Sequence, residues 1–293
     1  MELWLEARLS AENWQWLQSR LEILRQPFAA RDLHISLGLV PRKLGRADLN
    51  LDDKEIENIS RSSNLHLDTS DWTVETTARV LMLCTVAERD EDTFSQLFSE
   101  LCRTADLTES ITFYRGVALY PHSAALEKQI GEGLRTNIRA VFEAIAHRNS
   151  YPCVYFDQNR WNHMVLKALF IDSTLAPIQG LDERANAELA RILCDYAHER
   201  WAANRVVTPE LWRCVGPFAT ASMIDDLRCV AQSSAQVERQ AGLLALSQCP
   251  DSAAHDVLSQ FPEDASMIAR GELSWTTLSY SLGIIGESPT GIA

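Results

Sequence analysis

Apolar residues recur along this chain at the three-and-four spacing of amphipathic helices, and alternating strand patterns are almost absent. The first clear case covers about 10–24, where Ser10 opens a run carrying Trp14, Leu17, Leu21 and Leu24, with Glu12 in the first turn. Residues 28–51 break the rhythm. Pro27, Gly38, Pro41 and Gly45 surround the basic cluster Arg42, Lys43 and Arg46, which predicts an irregular connection. Helical spacing returns at 72–86, where Ser70-Asp71 is the expected cap and Glu75 its helper, and at 90–103, with Phe94, Leu97, Phe98 and Leu101 on one side. Further helices are expected over 107–119, 123–147, 157–171, 183–204, 209–215, 219–231, 235–247 and 252–260, with a short piece near Trp275 and a frayed end over 283–293. Thr208-Pro209 is a good helix start, since proline suits the first helical position.

About a dozen helices joined by short turns predict an all-α fold, either a right-handed α-solenoid-like stack or a compact helical bundle. No fixed repeat period stands out, and no Gly- or Ser-rich linker divides the chain. The expectation is one helical domain over 1–293. Within it, 1–51 holds the first helix and an irregular loop, 52–218 a central helical core, and 219–293 the closing helices with a frayed tail.

Plotted at 100° per residue, the central helices place polar groups against their apolar faces. Leu134, Ile138, Val141, Phe142 and Ile145 form one stripe, edged by Asn137 and Arg135. Trp161, Val165, Leu166, Leu169 and Phe170 form the next, with Asn162 inside it and His163 and Lys167 sharing its margin. On the third, Leu189, Ile192, Leu193, Tyr196 and Trp201 surround Arg200, with Glu199 at the edge and His198 pointing away. An unpaired buried guanidinium costs several kcal/mol, so Arg200 needs an anionic ligand or a carboxylate, for which Glu199, Asp157 and Asp182 are at hand. Two readings compete: internal clamps between helices, or the lining of a pocket for a small polar or amphipathic ligand. The pocket reading takes Arg135, Asn137, Asp157, Asn162, His163, Lys167, Glu199 and Arg200 as its ligand-binding set.

Composition narrows the partners. The 40 acidic and 27 basic residues leave a formal charge of −13, which disfavours nucleic acid and anionic lipid surfaces. Seven cysteines without C-x-x-C spacing read as free thiols in a reducing compartment. Asp157, His163 and Glu199 offer metal-ligating types, but their spacing demands no metal, and none is expected, nor any cofactor. There is no G-x-S-x-G elbow, phosphate loop or H-E-x-x-H. The N-terminus carries acids in its apolar run and no run approaches 18 uncharged apolar residues, so the expectation is a cytoplasmic protein without a transmembrane segment.

The central stretch also carries a family likeness. It comprises Tyr114-Arg115-Gly116, Leu119-Tyr120-Pro121, Arg135-Thr136-Asn137-Ile138 and Val141-Phe142-Glu143-Ala144-Ile145-Ala146, then Tyr155-Phe156-Asp157 and Trp161-Asn162-His163-Met164-Val165-Leu166-Lys167-Ala168. It continues through Gly180-Leu181-Asp182-Glu183-Arg184-Ala185-Asn186, Asp195-Tyr196-Ala197-His198-Glu199-Arg200-Trp201-Ala202-Ala203 and Pro209-Glu210-Leu211-Trp212-Arg213. This composite resembles the EboA family, strongly over about 119–218 and thinly in the first and last 70 residues. The resemblance implies a place in gene clusters that include a membrane prenyltransferase-like protein and several enzyme-like proteins. Those clusters are associated with moving secondary metabolites or their precursors towards the membrane or periplasm. No reaction comes with the likeness, so its residues are signature positions and not known catalysts.

The expected function is therefore a non-catalytic binding or scaffold protein in metabolite traffic, with a polar-lined pocket between the central helices. Its expected partners are an isoprenoid or aromatic metabolite and other proteins of the cluster, which would hold it peripherally at the inner membrane. One alternative is an adaptor docking on the prenyltransferase-like membrane protein. Another is an enzyme acting on an isoprenoid or aromatic metabolite.

Overall fold

A computed structural model of the chain describes residues 1–62, 67–89 and 91–283, the side chains of 59–62 excepted. The fold is all-α. Among the described residues there is no strand; Asp48 and Thr73 form an isolated antiparallel bridge. Most of the frayed end expected at 283–293 lies outside the described residues. The chain forms two compact units, Met1–Phe156 and Asp157–Ala293.

The first unit contains ten helices among its described residues: α1 (Glu2–Glu6), α2 (Ala11–Arg25), α3 (Ala30–Leu44), α4 (Asp53–Ser62), α5 (Val74–Ala87), α6 (Glu91–Thr104), α7 (Leu107–Arg115), α8 (Glu127–Arg135), α9 (Arg139–Ala146) and α10 (Tyr151–Tyr155). Helix α2 starts as its sequence predicts, with Ser10 accepting from the Asn13 amide at 3.2 Å. Helix α5 is the unit's axis. All fourteen of its residues are buried, and α1, α2, α3, α6 and α7 pack around it. Its cap is Thr73 and not Ser70-Asp71: the Thr73 hydroxyl accepts from the Thr76 amide, and the bridge to Asp48 holds Thr73 extended.

Burying a whole helix means burying Glu75 and Arg79 with it. They lie one turn apart, and Arg79 Nη1 approaches Glu75 Oε1 at 2.8 Å, an ion pair aligned off the hydrogen-bonding axis. Arg46 meets the other Glu75 oxygen at 2.8 Å, and Glu109 of α7 reaches Arg79 Nη2 at 3.5 Å. Two cations and two carboxylates thus share the site, which meets the requirement that buried charge be paired.

Helix α3 corrects the irregular connection expected at 28–51. Gly38 lies within it, and Pro41 stands in its last turn, where few further backbone bonds are lost. The Pro41 ring removes the donor that would have bonded the Leu37 carbonyl. Arg79 Nε supplies a replacement at 3.2 Å.

The single helix expected over 123–147 is divided. Ser123–Leu126 is a 3₁₀ turn, α8 ends at Arg135, and α9 starts only at Arg139. Thr136 and Ile138 are extended, and the Thr136 hydroxyl accepts from the Ile138 amide at 3.1 Å, a local turn that competes with helix. Ile138, assigned to the apolar stripe, is 52% exposed as a result. The signature residues Tyr114, Gly116 and Tyr120 serve packing. Tyr120 donates to the Phe113 carbonyl at 2.9 Å, and a Cβ on Gly116 would lie 2.4 Å from the Tyr120 hydroxyl. Tyr114 and Tyr120 set their rings edge-on to Phe98.

The second unit contains α11 (Gln158–Phe170), α12 (Ala187–Ala202), α13 (Ala221–Ala231), α14 (Gln236–Gln248), α15 (Ser252–Leu258), α16 (Pro262–Ala269) and α17 (Trp275–Ser281). The helix expected at 209–215 is a 3₁₀ segment, Pro209–Cys214, followed by a second one, Gly216–Phe218. Helix α14 is the hub and touches α13, α15, α16, α17 and both 3₁₀ segments. The approach is close because glycine permits it: a Cβ on Gly216 would fall 2.4 Å from the Ala245 carbonyl oxygen.

Candidate functional site

The second unit contains an open cleft of about 400 Å³ at the C-terminal ends of α11 and α12. One wall is the turn Asp172-Ser173-Thr174 that follows α11, with Leu169 behind it. Tyr196 and Arg200 come from α12, and Val206, Thr208, Pro209 and Glu210 from the segment after it, while Leu282 closes one side.

Local sequence explains the shape. Helix α12 ends in a backward wrap, in which the amides of Ala203, Asn204 and Arg205 donate to the carbonyls of Glu199, Trp201 and Arg200. Asn204 takes the left-handed conformation that such a wrap needs, with φ +52°. The wrap brings the Val206 carbonyl to Arg200, whose Nε and Nη2 fork onto it at 3.0 and 2.8 Å. The guanidinium also lies 5.9 Å from the Tyr196 ring centre. On the other wall Asp172 is left-handed at φ +54°, and the Ser173 amide donates to the Ala168 carbonyl at 2.8 Å.

Glu210 is the buried acid of the cleft. Its two oxygens accept from the amides of Ala176 at 2.7 Å and Leu175 at 3.1 Å. Burial pushes its pKa above the ordinary carboxylate range, against the pull of those amides and of Arg213. The Tyr196 hydroxyl donates to the Leu169 carbonyl at 3.3 Å, and burial likewise raises its pKa. The lining therefore mixes one cation, one exposed acid, one buried acid and several hydroxyls. Phe170, edge-on to Tyr196 with ring centres 5.1 Å apart, and Val206 are exposed apolar groups beside it.

The eight residues singled out in the sequence fall in different places. Arg135, the last residue of α8, is exposed and pairs with Glu132, while Asn137 is exposed in the break before α9; both belong to the first unit. Asp157 caps α11 by accepting from the Arg160 amide at 2.7 Å. Asn162 is buried and exchanges amide hydrogen bonds with Asn186, at 2.9 and 3.3 Å. Asn186 in turn caps α12 by accepting from the Leu189 amide at 2.9 Å. His163 and Glu199 are exposed, and Lys167 is half-buried with its pKa lowered by desolvation. Among the described residues, no three His, Cys, Asp or Glu side chains group to hold a metal.

Arg200 alone of the eight lines the cleft. Its partner is a backbone carbonyl and none of the three carboxylates considered; Asp182 instead forks with Arg213 at 2.6 Å. The wheel missed Asp172, Ser173, Thr174 and Glu210. The run Asp-Ser-Thr directly after an apolar helix is ordinary turn chemistry and was readable. Glu210 had no local signal, since its amide donors lie 34 and 35 positions away.

The sequence model for a family described as metabolite traffic protein EboA matches residues 1–216. The match reaches the N-terminus, well beyond the stretch where the likeness is plainest by eye, and takes in every lining residue of the cleft except Leu282. No curated protein matches the chain, and no solved structure does.

Proposed function

The chain belongs to the EboA family, and we propose that it binds a small metabolite of mixed polarity in the Arg200 cleft as a non-catalytic carrier or scaffold. The observation that carries this reading is the state of Arg200. Its Nε and Nη2 are spent on one carbonyl, no carboxylate lies within ion-pair distance among the described residues, and Nη1 is left for a ligand acceptor. A cleft of about 400 Å³ is within the usual range for small-molecule sites. Phe170 and Val206 offer apolar surface to the body of the ligand, and the hydroxyls of Ser173, Thr174 and Tyr196 line its polar side. Metabolite traffic, the role named in the family description, is what this binding would serve, and in our reading that traffic runs towards the membrane or periplasm.

A second reading has support from the same unit. Val206 is 72% exposed and Phe170 62%, with Trp201 and Phe218 partly so, which suits docking to a protein partner such as a membrane prenyltransferase-like protein. Among the described residues no helix is long and apolar enough to cross a membrane itself.

Mass spectrometry of small molecules that co-purify from the native host, compared between wild type and Arg200→Met, tests the carrier reading. A species held by the wild type and lost from a variant with an unchanged melting temperature is the expected result. Identical profiles for the two proteins would overturn it.

A further inference from the structure

The first unit has a cleft of its own, about 460 Å³, that the reading above does not use. Its floor is the buried apolar trio Val86, Phe94 and Leu97, and Pro27 and Phe28 of the α2–α3 turn form one wall with Ala30, the first residue of α3. Thr93, Gln96 and Glu100 of α6 and Arg89, just past α5, supply the polar rim.

Arg89 is fixed there by two contacts. Nη1 donates to the Gln26 carbonyl at 2.9 Å, and the guanidinium stands 5.2 Å from the Phe28 ring centre. Neither contact neutralises it, and no carboxylate lies within ion-pair distance among the described residues. Nε and Nη2 remain to be shared with an acceptor. Thr93 and Glu100, which bound the α6 side, are seven residues apart, about 10 Å along a helix. Arg89 precedes α6, so the cation stands at the start of this wall, and Glu100, the one acid among the described residues of the rim, two turns along it. The floor between is apolar.

We propose that this cleft is a binding site for an amphipathic anion, a carboxylate or phosphate head on Arg89 with an apolar body over Val86, Phe94 and Leu97. A guanidinium held against a ring presents a planar fork that suits such a head. Glu100 sets the orientation, since it repels a head placed at its own end. This inference is independent of the Arg200 cleft, because the residues and the unit are different.

Calorimetric titration with decanoate, and with decanol as its uncharged counterpart, tests it on the full chain. Decanoate binds the wild type more tightly than decanol does. Arg89→Met weakens decanoate about tenfold, leaves decanol unchanged, and a charge-assisted hydrogen bond accounts for that difference. Glu100→Gln tightens decanoate, and Arg200→Met leaves it as in the wild type. Arg89→Gln replaces Arg89→Met if the latter lowers the melting temperature. Equal affinity for the two probes, or a loss in Arg200→Met matching that in Arg89→Met, overturns the proposal.

Discussion

Arg79 Nε donates to the Leu37 carbonyl at 3.2 Å, the acceptor that Pro41 strips of its own helical donor. A helix with a proline in its last turn is thereby completed by a side chain from the buried helix beside it. The same guanidinium lies between Glu75 at 2.8 Å and Glu109 at 3.5 Å, so one residue serves three elements.

Arg79→Met should therefore be among the most damaging substitutions in the first unit. It leaves Glu75 buried beside Arg46 alone and the Leu37 carbonyl without a partner, a loss of about 3–5 kcal/mol. Pro41→Ala restores the amide donor to that carbonyl and, in the Arg79→Met background, should recover about 1 kcal/mol. Denaturant melts of the two single variants and the double variant measure the coupling; strictly additive losses would refute the shared acceptor.

Asn162→Ala removes one side of the amide exchange with Asn186 and should cost about 1–3 kcal/mol, through the buried donor and acceptor left behind. Asn186→Ala should cost about 1 kcal/mol more, because it also uncaps α12. Equal losses from both would show that the cap contributes nothing.

Glu210 gives the second unit a pH dependence of definite sign. Its pKa is raised in the fold, chiefly by burial, so its neutral form is the better tolerated there. The stability it contributes is whole below the ordinary glutamate range and is lost as pH rises through its raised value. Melting temperatures of wild type and Glu210→Gln, followed upward from about pH 4, should converge or cross as this contribution disappears. A constant gap between the two would refute the assignment.

Thiol chemistry should be selective. Burial pushes Cys84, Cys102, Cys194 and Cys214 up to about 12, so almost no thiolate exists at neutral pH. Cys229 is exposed on α13. Peptide mapping after brief iodoacetamide treatment of the native protein should find Cys229 alkylated ahead of those four. Early alkylation of Cys214 would show that the 3₁₀ segment opens.

What could be read in the sequence was local. The starts of α2 and α11 fall where they were expected, at Ser10 and Asp157, whereas α12, expected from 183, begins only after its cap Asn186; all three side chains accept from backbone amides of the first turn. Asn162 stood out because an amide in an apolar face needs a partner, which its buried exchange with Asn186 supplies. Helix α3 was illegible because the carbonyl that its proline leaves without a donor is satisfied by Arg79, 42 positions away. Phe170 falls on the apolar stripe of α11, yet as its last residue it is left exposed. Arg200 was noticed for the carboxylate it would require. The carbonyl it uses lies only six residues on, but reaching it depends on the left-handed turn at Asn204, which a helical wheel does not represent.

That turn also bears on how tightly the cleft could hold a ligand. A free arginine on a surface loses about 2 kcal/mol of rotamer entropy when a ligand immobilises it. Arg200 has already lost most of that freedom in its fork onto Val206. An arriving ligand therefore meets a preorganised cation, and the cost of ordering it falls on folding and not on binding.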